Sequence, residues 1–228
     1  MDRKGTILLI HGLGGSRANM WPIAAWLEKS GYPVQHWTYR SIGNRIETHA
    51  TRLTRDLLEL DRRSDGHPVH LVTHSMGGII VRAALARPET RLQNAGRLVM
   101  LAPPHHGSPV ARKMTRWLGW LTPSLDQLSD RPDSYVNQLP DSLSGSGFEL
   151  GIIEAARDRV IVPGTTRLPG CAGFARLDLH HHGLTWSRRS LRLISAFIGA
   201  GRFPSTSPAG ASESVRPATD SWQLESSG

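Results

Sequence analysis

The feature that most constrains this chain is a set of short, continuously apolar runs, each closed by glycine, serine or proline and separated from the next by a helical pattern. Residues 5–12 read GTILLIHG, residues 68–75 read PVHLVTHS and residues 97–104 read RLVMLAPP. A strand with one wet face alternates apolar and polar residues, whereas a strand covered on both faces need not, so these runs fit the interior of a parallel sheet. Between them apolar residues return at intervals of three and four. Ile23, Ala24 and Leu27 do so before the stop at Gly31, and Ile46, Ala50, Leu53, Leu57 and Leu60 do so within residues 44–60, where Arg45, Arg52, Arg55 and Glu59 take the rest of the circumference. A third helix starts at Met76 and stops at Pro88. Residues 33–39, 148–153 and 175–179 supply three more strands, and residues 188–198 a closing helix. Strands alternating with helices predict an α/β fold, a mostly parallel sheet of about six strands flanked by helices.

Two segments break this rhythm. Residues 107–147, after the fourth strand, hold Trp117, Leu118, Trp120, Leu121, Leu125 and Leu128 among Pro and Ser. That is too long for a plain connection and too apolar for a linker, so an inserted cap is expected. Residues 204–228 are rich in Ser, Pro, Gly and Ala and are expected to form a disordered tail, which leaves one domain over residues 1–203.

The formal net charge of +8 raises nucleic acid and anionic membrane surfaces as partners. The arginines are scattered at helical spacing and form no basic block, which argues against nucleic acid; contact with anionic lipid head groups stays open. The one cysteine, Cys171, forms no intrachain disulfide and has no metal-ligand partner at a recognisable spacing. The start, Met1-Asp2-Arg3-Lys4 followed by a short apolar strand, carries no signal-peptide or spanning pattern, so the expected location is the cytoplasm.

Ser75 stands where the third strand meets its helix. A turn that tight forces the serine backbone into strain and needs small residues two before and two after it, the positions of Thr73 and Gly77, while Gly78 lets the helix approach the sheet. The turn lifts the hydroxyl away from the sheet, beside helix N-terminal amides that favour negative charge. A serine that merely caps a helix is the plainer reading, and the strand–turn–helix context weighs against it. An acyl-transfer site needs amides aimed at an oxyanion. The Met76 N–H, next to Ser75, is one candidate, and the Leu13 N–H, in the glycine-rich loop HGLGGS after the first strand, is the other.

Through IHGLGGS, VTHSMGGIIVR, LAPPHHGS and TTRLPG, residues 4 to about 203 resemble the α/β-hydrolase superfamily, and within it the small bacterial lipase-like and GPI-inositol-deacylase-like serine esterases. Two positions depart from the pattern. Thr73 replaces the first glycine of Gly-x-Ser-x-Gly, and His105 stands where the subgroup has Asn in Pro-Pro-Asn-x-Gly-Ser. The resemblance implies the chain order serine, acid, histidine. The base then falls among His180, His181 and His182, of which the spacing in the subgroup selects His181. The acid falls among Glu154, Asp158 and Asp178; Asp178 alternates with Leu177 and Leu179 and should face away, and the similarity of DRVIVPGTTRLPG to the subgroup selects Asp158. Three consecutive histidines diverge too much to hold one metal ion, and neither metal nor cofactor is expected.

The implied activity is cleavage of carboxylic esters, on small-molecule or lipid substrates, through an acyl-enzyme on Ser75. Trp117, Trp120 and Leu121 of the insert are expected to line the acyl pocket as an apolar lid. Thioester hydrolysis and acyl transfer use the same machinery. The alternative from another class is a non-catalytic ligand- or partner-binding protein that keeps the fold.

Overall fold

The computed structural model describes residues 4–204, so the segment expected as a tail lies, but for Pro204, outside the described residues. Strands β1 (Thr6–Ile10), β2 (Val34–Trp37), β3 (Val69–His74), β4 (Ala95–Leu101), β5 (Glu149–Ala155) and β6 (Gly173–Leu177) form one sheet in the order β2-β1-β3-β4-β5-β6. Every neighbouring pair is parallel. Helices α1 (Arg17–Lys29), α2 (Ile46–Arg62) and α3 (Met76–Leu85) connect the first four strands. The short helices α4 (Pro109–Leu118), α5 (Pro123–Gln127) and α6 (Tyr135–Gln138) occupy the insert, and α7 (Arg188–Ala200) closes the domain.

The apolar runs are covered on both faces, as a doubly wound sheet requires. Alternation along each strand sends Leu8, Ile10, Leu71, Leu98, Met100 and Ile152 to a core shared with α2 and α3. Ile7, Leu9, Val72, Val99, Leu101 and Ile153 go to a second core shared with α1 and α7.

Element edges differ from the periodicity where tertiary contacts decide them. The amphipathic pattern over residues 44–60 becomes a helix over Ile46–Arg62, because the Ile46 N–H donates to Gln127 Oε1 of α5 at 2.6 Å. A cap supplied from 81 residues away leaves no local signal. The last strand sits two residues earlier than the apolar run 175–179. Its pairing with β5 starts at Gly173 and ends at Leu177, after which the Leu179 N–H turns back to the Leu177 carbonyl.

Much of the insert joins the core. Leu125, Leu128, Val136, Leu139 and Leu143 pack against the α2/α3 face. Arg82 of α3, 1% exposed, donates to the carbonyls of Leu139, Pro140 and His105 and contacts Asp141 at 3.4 Å. One buried guanidinium thereby ties the insert and the β4–α4 loop to the helix behind Ser75.

The chain steps from β1 outward to β2, then returns to place β3 on the other side of β1. At such a reversal the loops leaving the two strands diverge and a crevice opens at their carboxyl ends. Gly12–Leu13 leaves β1 there, and Ser75 leaves β3.

Candidate active site

Ser75 has φ 54 and ψ −126, a conformation that L residues avoid and that costs on the order of 1–3 kcal/mol unless surrounding contacts hold it. Those contacts are present. The Ser75 N–H donates to the Leu101 carbonyl of β4 at 2.9 Å, and its carbonyl accepts from the Gly78 N–H at 2.9 Å. A Cβ on Gly77 would lie 2.6 Å from the His11 carbonyl oxygen and 2.7 Å from that of Ile10, and a Cβ on Gly12 would lie 2.9 Å from Ser75 Cβ. Only glycines let α3 and the β1 loop close around the serine. Thr73 fits the earlier small position with its hydroxyl buried and without a partner among the described residues.

The Leu13 and Met76 amides donate to no acceptor among the described residues. The loop carrying Leu13 is clamped from the segment after β2. Tyr39 Oη donates to the His11 carbonyl at 2.7 Å, Ser41 Oγ accepts from the Gly14 N–H at 2.9 Å, and the His11 ring stacks on Tyr39 at 4.3 Å. Two free amides, one at a helix N-terminus and one on a braced loop, suit a developing negative charge.

His181 opens a 3-10 turn (His181–Thr185) after β6, and Asp158 lies in the loop after β5. Neighbouring strands bring the two together: His181 Nδ1 is 2.6 Å from Asp158 Oδ2. Asp158 Oδ1 accepts from the amides of Val160 and Ile161 at 2.7 and 2.9 Å. Burial would raise the Asp158 carboxyl, but the hydrogen bond and charge of His181 and the two amides outweigh it and hold the carboxyl below its ordinary range. A carboxylate acceptor at Nδ1 puts the imidazole proton there and leaves the Nε2 lone pair free to accept a proton.

The other candidates are engaged elsewhere. The buried Glu154 accepts from the Gly164 N–H and the Thr166 hydroxyl at 2.6 and 2.7 Å. Asp178 pairs with Arg157. The His180 ring bonds to the Arg157 carbonyl at 2.9 Å. His182 sits edge-on to His181, held below its ordinary pKa by burial and then by the His181 charge. His74, fully buried and lowered to about 3 by burial, is neutral; its Nε2 lies 3.3 Å from the His181 carbonyl, where it donates and braces the His181 turn from behind. His105 is buried, its two ring nitrogens have no partner among the described residues, and burial pushes its pKa far down. No group of three or more His, Cys, Asp or Glu side chains among the described residues is placed to hold a metal ion.

Ser75 and His181 line one cavity of about 310 Å³, with Leu13, Met114, Leu125 and Leu128 among its apolar walls. No hydrogen bond joins Ser75 Oγ to His181 among the described residues. Such bonds are often long in a resting site and tighten only with substrate bound. Trp117, Trp120 and Leu121, expected in the pocket, do not line it. They are 79%, 83% and 44% exposed, and Val110, Ala111 and Met114 of α4 line the cleft instead. Sequence reasoning missed Tyr39, Ser41 and Arg82. The last carried a signal, a lone charge in the otherwise apolar helix MGGIIVRAAL.

Parallel strand order, the reversal beside β1 and a strained serine between β3 and α3 define an α/β-hydrolase. The chain belongs to the Hydrolase_4 family, described as serine aminopeptidase, S33, whose model matches residues 1–145. No curated protein matches it. Among solved structures it is similar to the mature Bacillus licheniformis lipase BlEst2, with a TM-score of 0.67 and 19% identity over 87% of this chain and 92% of that one. Aspergillus fumigatus lipase B gives 0.70 and 16% over 87% of this chain and 53% of the other, so this chain spans about half of that lipase. A carboxylesterase structure from Nitrososphaera gargenis gives 0.56 and 16% over 86% and 90%. No helix among the described residues is long and apolar enough to cross a membrane.

Proposed function

We propose that the protein hydrolyses carboxylic esters through an acyl-enzyme on Ser75. The observation that carries this reading is the 2.6 Å contact between His181 Nδ1 and Asp158 Oδ2, with His181 lining the cavity onto which Ser75 opens. Ser75 Oγ attacks the ester carbonyl and gives its proton to His181 Nε2. Asp158 holds the tautomer and stabilises the imidazolium. The oxyanion takes hydrogen bonds from the Leu13 and Met76 amides, and its collapse expels the alcohol, protonated by His181. Water, deprotonated by His181, then attacks the acyl carbon, releasing the acid and restoring Ser75. This chemistry needs no cofactor.

The apolar walls suit an acyl chain, and the lipases and carboxylesterase that share the fold support the ester class, small-molecule or lipid. The family description suggests peptides with a free amino end. Such a substrate brings an α-ammonium that needs an acidic partner, and no Asp or Glu lines the cavity. Esters therefore fit better.

A fluorophosphonate probe and p-nitrophenyl esters of several chain lengths test the reading. Wild-type protein should label at residue 75 and turn over, and Ser75→Ala should lose labelling and at least about a thousandfold in kcat. A silent probe, or equal rates for the two proteins, leaves only a ligand-binding protein on a hydrolase fold.

A further inference from the structure

We infer that α4 and the turn after it form a docking surface for an anionic lipid bilayer. Trp117, Leu118, Trp120 and Leu121 form an exposed apolar ridge, with the two indoles 79% and 83% in solvent. Neither indole belongs to either core. Positions 110, 114, 117 and 118 share one stripe of the helix, and its Val110 and Met114 line the cavity beside Ser75. The stripe thus runs from the cavity wall out into water.

Its flank is cationic. Arg112, Lys113 and Arg116 lie on α4 off the apolar stripe, and of these three, among the described residues, only Arg112 has an acidic partner, Asp130 at 3.0 Å. A helix with an apolar face bearing indoles and a cationic polar face lies in the plane of a bilayer, its rings at head-group depth and its cations on lipid phosphates. The net charge of +8 adds long-range attraction to the same surface. A second copy of the chain fits less well, since a two-fold contact through the ridge would bring two sets of unpaired cations together. Docked this way, the protein holds the cavity mouth against the lipid, so an acyl chain enters past Met114 without crossing water. That last consequence rests on the ester-hydrolase reading; the docking itself does not.

The test is flotation of the Ser75→Ala protein with vesicles of neutral phosphatidylcholine, or with about 30% phosphatidylglycerol, at about 0.1 M salt. Because catalysis is already removed, the result is independent of activity. Binding to the anionic vesicles should exceed binding to the neutral ones by at least about tenfold, since each surface cation contributes roughly fivefold. Trp117→Ala/Trp120→Ala should weaken binding by at least about tenfold, and Lys113→Glu/Arg116→Glu should erase the preference for anionic lipid. Unchanged thermal melts confirm that the variants fold. Failure to float with either vesicle, equal binding to both, or variants that float like the parent overturns the inference. So does a dimer in sedimentation equilibrium that the tryptophan variants dissolve, which makes the ridge a contact between copies.

Discussion

Replacing Asp158 by asparagine exchanges one carboxylate oxygen for an amide nitrogen and isolates the role of the charge. In Asp158→Asn the side chain keeps an oxygen for the Val160 and Ile161 amides, which hold the loop at 2.7 and 2.9 Å, so the fold should survive. The amide nitrogen then faces His181 Nδ1 at the position of Oδ2 and donates where the carboxylate accepted. The imidazole proton moves to Nε2, and the ring can no longer take the proton of Ser75. Two costs follow in the transition state. The lost charge-assisted hydrogen bond to the imidazolium is worth about 1.5–3 kcal/mol, and a donor left facing a donor in a buried site adds about 1–3 kcal/mol. At about 1.4 kcal/mol per factor of ten, kcat should fall by about two to four orders of magnitude. KM for a p-nitrophenyl ester should change little, because no contact with the bound acyl chain is removed. Steady-state kinetics with a parallel urea melt checks this. A loss of less than about tenfold in kcat, with the melt unchanged, would falsify the assignment of Asp158 as the group that orients the base.

Three other perturbations have definite outcomes. Gly77→Ala puts a methyl group 2.6 Å from the His11 carbonyl, so α3 must shift; stability should drop by about 1–3 kcal/mol in urea and fluorophosphonate labelling should slow. Tyr39→Phe removes the donor to the His11 carbonyl, and an oxyanion loop that loses its clamp should lower kcat at unchanged KM; a rise in KM alone would contradict that role. His70 Nδ1 accepts from the Arg97 N–H, and burial, then the Arg97 charge, lowers its pKa to about 4. As pH falls below about 6.5 the unfolded chain takes up this proton before the native one does, so about 3 kcal/mol of stability is lost between pH 6.5 and 4 and is fully present above. His70→Asn keeps an acceptor for the Arg97 amide, and its stability should rise less steeply with pH across that window, by one proton.

What the sequence determined by itself is whatever short-range chemistry encodes. Runs such as TILLI are apolar at nearly every position and announce a strand with two buried faces, and the small residues around Ser75 announce the strained turn, because both properties are written within a few neighbours. The pairing of Asp158 with His181 was within reach only through resemblance. Nothing in LDLHHHGL states which ring turns inward; the 3-10 turn and the buried His74 behind it decide that. Tertiary structure alone set three further things. Strand order put β3 beside β1 and so brought the Leu13 loop to Ser75. Arg82 and Gln127 became tether and cap through partners 57 and 81 residues away. The tryptophans of the insert point outward, leaving Met114, Leu125 and Leu128 to wall the cavity. The physical reason is shared. An amphipathic pattern fixes which residues lie on a common stripe, but only the packing of the whole chain decides whether that stripe meets protein, substrate or solvent.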